Sequence, residues 1–250
     1  MSASSVHRLL LSMTLGFGLT GCSLFDGLND QFADDGSVLS VFATHHASPY
    51  NGVFPPRDGP PRFVTDMGWD VVLADAYITT TGATLFSCAT EKRRSLEMYW
   101  GALPEDLRDL DLVTTPIGGV GLDSGDWCGI NVQYGPFMPG EDGDYEMGNP
   151  DAIGTTMYIQ GLASKDGMDV PFEVIVDEPV AVIVSMTDID GGRPLKVTDT
   201  KDIAITISKS YDRLFDGIDF ANYTDEELRD IALASLSEYT RVSLGNAAKP

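Results

Sequence analysis

Histidine is the side chain whose charge and ligand chemistry operate nearest neutral pH, and this 250-residue chain has three of them. Two, His45 and His46, are adjacent and follow the apolar run 38–43. They are candidate metal ligands, and thioethers from Met67, Met98, Met138 or Met147 would complete a donor set better suited to copper than to zinc. If a strand runs on through both histidines, their rings point to opposite faces and one ion could not easily take both; a turn starting there removes that objection. The blander reading makes them loop histidines.

Other chemistry has less behind it. Hard oxygen ligands gather at 141–146 (Glu-Asp-Gly-Asp-Tyr-Glu) and 188–191 (Asp-Ile-Asp-Gly), but glycine and the closing glutamate fall at the wrong offsets for an EF-hand loop. There is no Gly-x-Ser-x-Gly; the nearest string, 121–125, has the wrong spacing, and a serine triad would have to recruit His45 or His46. Carboxylate pairs for glycoside cleavage could be picked anywhere among 38 acids, so their presence carries no information. No glycine motif cradles a phosphate. No catalytic residue is assigned. Trp69, Trp100 and Trp127 stand near strand ends, as core residues or as a platform for a carbohydrate or partner.

The balance of 38 acidic against 16 basic residues gives a net charge of −22, which disfavours nucleic acid and anionic lipid as electrostatic partners. Forty-three per cent of positions are hydrophobic, enough for one sizeable core. Residues 1–21 do not read as part of that core. His7 and Arg8 form a short basic start, and 9–19 form an apolar run too short to span a bilayer but suited to a signal peptide. The run ends Leu19-Thr20-Gly21-Cys22, which resembles the lipobox of bacterial lipoproteins. That resemblance implies cleavage before Cys22 and acylation of its sulfur (the palmitate-type modification), so that two or three acyl chains anchor the protein without a transmembrane helix. Ser23 follows, where an Asp would favour inner-membrane retention, so the outer membrane is the expected location. Residues 22–36 then read as an acidic, lipidated tether, and 37–250 as one domain.

Export places Cys88 and Cys128 in an oxidising compartment, where two remaining thiols suggest a disulfide. The body reads as β: short, often alternating apolar runs at 38–43, 62–65, 69–77, 83–88, 96–100, 128–134, 155–162, 170–176, 180–186 and 202–208. Turn signals separate them, among them Asn51-Gly52, Asp166-Gly167 and Gly191-Gly192. Run 181–186 is nearly all apolar, as in a strand covered on both faces. About ten strands without a βαβ rhythm predict an antiparallel β-sandwich. One helix is expected at about 224–242. Thr224 to Glu227 form a capping box, Tyr223 and Leu228 occupy the staple positions, and Leu228, Ile231, Ala232, Leu236 and Tyr239 make an apolar stripe, with Gly245 as a stop.

The strand at 202–208 runs into Tyr211-Asp212-Arg213-Leu214-Phe215-Asp216-Gly217-Ile218-Asp219-Phe220. A late strand followed by Asp and then Leu-Phe-x-Gly-x-Asp resembles the closing segment of the MbnP-like proteins, and the stretch 63–85 is loosely similar too. The resemblance implies a β-rich periplasmic copper-binding protein serving a dihaem cytochrome-type redox partner. The leading expectation remains a lipid-anchored, non-catalytic envelope sandwich that binds an envelope protein or small ligand, or has a structural role; the alternative is a copper-binding lipoprotein.

Overall fold

A computed structural model describes residues 37–139, 149–198 and 202–249. The signal peptide, Cys22, the tether and the acidic loop 141–146 lie outside the described residues. Among the described residues, strands form two sheets and one α-helix packs against them. The sandwich expected from the sequence is what the chain builds.

The first sheet has the order β14-β13-β1-β7-β5, from β1 (Ser37–His46), β5 (Glu97–Met98), β7 (Thr115–Leu122), β13 (Ile203–Ser210) and β14 (Thr240–Leu244). The second runs β10-β9-β3-β8-β11, from β3 (Asp70–Ser87), β8 (Gly125–Tyr134), β9 (Met157–Lys165), β10 (Met168–Val176) and β11 (Val180–Ser185). Short strands β2 (Arg62–Val64), β4 (Arg93–Ser95) and β6 (Leu103–Asp106) pair with β3, and β12 (Leu195–Val197) pairs with β8. β3 serves two neighbours in succession: Asp70 to Ile78 pairs with β9 and Thr80 to Ser87 with β8. The two runs expected at 69–77 and 83–88 are therefore one strand, carried through by Thr79 to Gly82.

Most pairs are antiparallel, but β1 and β13 run parallel, with Leu39 opposite Ile203, Val41 opposite Ile205 and Ala43 opposite Ile207. These residues form an apolar ladder facing the second sheet, because side chains of one parity share a face. Its next rung is His45 opposite Lys209. Hairpin β9–β10 turns on Asp166 (φ 52°) and Gly167 (φ 80°), the left-handed pair that a tight two-residue turn requires. Gly161 in β9 is needed for a different reason: a Cβ there would meet the Phe172 ring at 2.5 Å and the Val72 carbonyl at 2.6 Å.

The helix, α1 (Asp225–Tyr239), starts as expected. Thr224 Oγ1 accepts from the Glu227 amide at 3.2 Å, and three acids in the first turn suit the helix dipole. Leu228, Ala232 and Leu236 are buried, and α1 packs beside β10, β11 and β13. It ends at Tyr239, three residues before the expected 242. Thr240 turns its hydroxyl onto the Leu236 carbonyl at 2.6 Å, and the chain continues as β14, paired with β13. Gly245 (φ 103°) therefore follows a strand, not a helix. Run 181–186, expected to be covered on both faces, is also corrected: β11 exposes Ile183, so one face is open. Strands β7, β4, β6 and β12 were not expected. β7 begins Thr-Pro-Ile-Gly-Gly, where proline and glycine read as turn signals until a neighbouring strand claims them.

Candidate functional site: a buried ionic cluster beneath two loops

β1 continues as a strand through both histidines, so alternation separates their rings. His45 faces inward. Its Nδ1 lies 3.1 Å from Glu105 Oε1 and its Nε2 lies 3.2 Å from the Asp109 carbonyl. Both ring nitrogens thus meet acceptors. His46 lies on the other face, with Nδ1 2.9 Å from the Ala47 carbonyl and the ring tilted against Phe54 at 4.6 Å between centroids. Both histidines are buried. Burial holds the His46 imidazole below its ordinary pKa, outweighing the Ala47 hydrogen bond and the Asp212 and Asp111 carboxylates that would raise it.

Glu105 comes from β6, in the opposite sheet, where it pairs with Ile78 of β3. Its Oε2 lies 2.7 Å from Lys209 Nζ, and all three side chains of the His45–Glu105–Lys209 cluster are buried. Burial alone would raise the Glu105 carboxyl; the Lys209 ammonium and the His45 hydrogen bond overcome it and hold the group well below the usual carboxylate range. Burial alone would lower Lys209, and the Glu105 carboxylate reverses that and keeps the amine charged. Tyr134 closes the cluster. Lys209 Nζ sits 5.8 Å from its ring centre, its hydroxyl lies 3.2 Å from Thr240 Oγ1, and burial pushes its phenol upward.

A second cluster lies beside the first. Arg57 Nε pairs with Asp111 Oδ1 at 3.0 Å and its guanidinium donates to the Leu107 and Arg108 carbonyls. Tyr211 donates its hydroxyl to Asp111 Oδ2 at 2.9 Å, and burial followed by the Asp111 charge raises the phenol. Asp212 accepts from the Ser48 amide at 2.8 Å and from its hydroxyl at 3.0 Å; burial nevertheless leaves its carboxyl raised. A cleft of about 490 Å³ runs past His46, Ser208, Ser210 and Arg241. A wider groove of about 940 Å³ lies where α1 begins, between Tyr223, Asp225 and Arg229 and the β9–β10 residues Gln160 and Glu173.

The backbone does not bring the two expected metal ligands together. Met67 and Met138 are exposed in separate loops and Met98 lies in β5, while Met147 lies outside the described residues. Among the described residues, no three His, Cys, Asp or Glu side chains gather as a metal site. Asp188 and Asp190 occupy a turn in which Asp190 faces Arg193 at 3.9 Å. Trp69 and Trp127 are core residues, and Trp100 is exposed on the turn after β5. Cys88 and Cys128 form the expected disulfide, with Cα atoms 4.9 Å apart.

Sequence reasoning missed Glu105, Lys209, Arg57, Asp111 and Tyr211. One signal was present: Ile203, Ile205 and Ile207 mark the buried parity of β13, and Lys209 continues it. No helix among the described residues is long and apolar enough to cross a membrane.

Fold and disulfide together define a disulfide-linked, mainly β sandwich. No family model and no curated protein matches the chain. Among solved structures, MbnP from Methylosinus trichosporium is similar at a TM-score of 0.40 and 11% identity, over 84% of this chain and 99% of that one. No residue role is carried over from it.

Proposed function

We propose that this chain is an exported bacterial lipoprotein, anchored through Cys22, whose sandwich works by binding and not by catalysis. The observation that carries the reading is the Cys88–Cys128 bridge, which belongs to an oxidising compartment. The Leu-Thr-Gly-Cys string supports the export route and the lipid anchor, and Ser23 supports the outer membrane as its destination. Binding is favoured over catalysis because the cluster with the residue types of a catalyst is sealed. His45, Glu105 and Lys209 are each less than one-tenth exposed, and both His45 nitrogens are engaged.

Labelled palmitate fed to cells making the full chain tests the anchor. The reading expects label in the wild-type protein and none in Cys22→Ser, with the variant leaving the membrane fraction. An unlabelled wild type that sediments no better than Cys22→Ser would defeat it.

A further inference from the structure

Five of the fourteen large apolar side chains exposed among the described residues fall in two loops. Leu110 (69% exposed), Leu112 (38%) and Val113 (55%) follow one another in the loop between β6 and β7. Tyr50 (78%) and Val53 (68%) bracket the Asn51-Gly52 turn of the loop that leaves β1. Both loops extend from the same end of the sandwich: one begins at Ala47, directly after His46, and in the other the Leu112 amide donates to the His45 carbonyl at 3.0 Å.

The loop between β6 and β7 is held from beneath. Thr44 Oγ1 donates to the Val113 carbonyl at 2.8 Å, His45 Nε2 meets the Asp109 carbonyl, and Asp111 is fixed by both Arg57 and Tyr211. Arg57 itself comes from the other loop, so one buried ion pair ties the two together. Leu112 has φ 66°, a left-handed conformation that a leucine adopts only when its surroundings impose it. A strained backbone, a buried ion pair and a sealed ionic cluster hold the leucines of this loop outward.

We propose that these two loops form a preorganised docking surface for a protein partner that offers an apolar pocket rimmed by lysine or arginine. The exposed charges beside the loops, Asp58 and Asp109, are acidic. The two cations within these loops are already taken, Arg57 by Asp111 and Arg108 by Asp106 and Asp75, and Arg213, which reaches Ser48, is taken by Asp216; Arg241 and Lys249 line the separate cleft past Ser48 and Pro49. Such a rim repels anionic lipid and an equally acidic second copy, and attracts a basic one. On the anchoring reading the tether precedes Ser37, and the nine residue steps of β1 carry the chain roughly 30 Å to His46, so the loops lie at the end of that strand away from the anchor.

A photo-crosslinking phenylalanine in place of Tyr50, in the full chain and in its own cells, tests this. The expected result is an adduct with one discrete protein, joined at a segment bordered by lysine or arginine. Leu110→Asp with Val113→Asp reduces it about tenfold, and Ile183→Asp, on the exposed face of β11, leaves it intact. Leu112→Gly also weakens it without lowering the thermal midpoint, which separates docking from unfolding. Adducts with lipid or with a second copy, an adduct indifferent to the two aspartates, or no adduct overturns the proposal. Sedimentation with membranes, scored in the same cells, reports the anchor separately: a soluble chain that still gives the adduct keeps the docking surface and loses only the anchor.

Discussion

Lys209 Nζ and Glu105 Oε2 meet at 2.7 Å between the two sheets, one residue contributed by each sheet and both buried. His45 takes the other oxygen of the same carboxylate. Three ionisable groups therefore end an otherwise apolar ladder of isoleucine, valine and alanine. A buried Lys209–Glu105 ion pair is weak evidence for stability, since desolvation offsets the attraction between the two charges. Position matters more. The cluster lies where β1 hands over to its loop and fixes the height of β6 against β1 and β13.

Removing one partner should therefore be far more damaging than removing both. Glu105→Gln leaves Lys209 without a counter-charge, and Lys209→Met leaves Glu105 with only its His45 hydrogen bond. Each is expected to lower stability by about 3–5 kcal/mol. The double variant should lose much less than the sum of the two, as coupled neighbours do. Urea titration of the four proteins measures this. Additive losses would show that the two side chains do not interact.

Acid should destabilise the fold in two stages. Burial depresses the folded pKa of His46 below its ordinary 6.5. The unfolded chain then takes up a proton that the folded one refuses, so stability present above pH 6.5 is lost as pH falls toward the folded value. Glu105 follows: its folded carboxyl is held below the ordinary 4.5, so its contribution stays intact above pH 4.5 and disappears as pH drops through the folded value. Asp212, raised by burial, acts with the opposite sign and softens the lower stage. Denaturant midpoints between pH 7 and 5 should fall with a slope of at most about 1.4 kcal/mol per pH unit, and His46→Gln should flatten that limb. An unchanged slope in His46→Gln would show that His46 is not the titrating group.

Much of this architecture was legible because it depends on local pattern. The isoleucine alternation of β13, the Asp166-Gly167 hairpin and the Thr224 cap are each written within a few residues. The two loops were legible only in part: Asn51-Gly52 announces a turn, while nothing near Leu112 announces a left-handed leucine. Glu105 was invisible because its partner Lys209 is more than a hundred residues away in the chain and the strand bearing it has four residues, Leu-Pro-Glu-Asp. Lys209 keeps the buried parity of β13, although a lysine ends an exposed pattern more often than it continues a buried one. The end of α1 is hidden for a related reason. Thr240 to Leu244 suits a helix or a strand, and pairing with β13 decides between them.

Gly161→Ala should destabilise by overpacking. The added methyl would press on the Val72 carbonyl, which belongs to the paired backbone of β3 and cannot swing aside, and on the Phe172 ring, which is packed against Phe215 and Phe220. A loss of about 1–3 kcal/mol is expected, read as a lower urea midpoint. Gly154→Ala provides the contrast, since nothing lies within 4 Å of its Cβ position and only its φ of 82° opposes the change.

Leu112→Gly should act in the opposite direction. Glycine accepts φ 66° without the clash that costs an L-residue about 1–2 kcal/mol, and gives back part of that gain in unfolded-state entropy. The net change is expected between zero and a gain of about 1 kcal/mol, read by thermal melting. A clear loss would mean that Leu112 contributes packing that its exposure conceals.

The disulfide should protect more than its own neighbourhood. Cys88 and Cys128 are 40 residues apart, and the excursion they close contains β4, β5, β6 and β7. Chain entropy for a loop of that length predicts about 4 kcal/mol, less any strain, so Cys88→Ala with Cys128→Ala should cost about 2–4 kcal/mol. The excursion also carries Glu105 and the loop that bears Leu110 to Val113. Opening the bridge widens the range of positions that β6 can sample, and Lys209 gains only where Glu105 is held close. Hydrogen exchange of the reduced protein should therefore quicken at β6 and β7 and, across the sandwich, at Ser208 to Ser210 of β13. Faster exchange confined to the residues beside the two cysteines would show that the bridge and the buried cluster are mechanically independent.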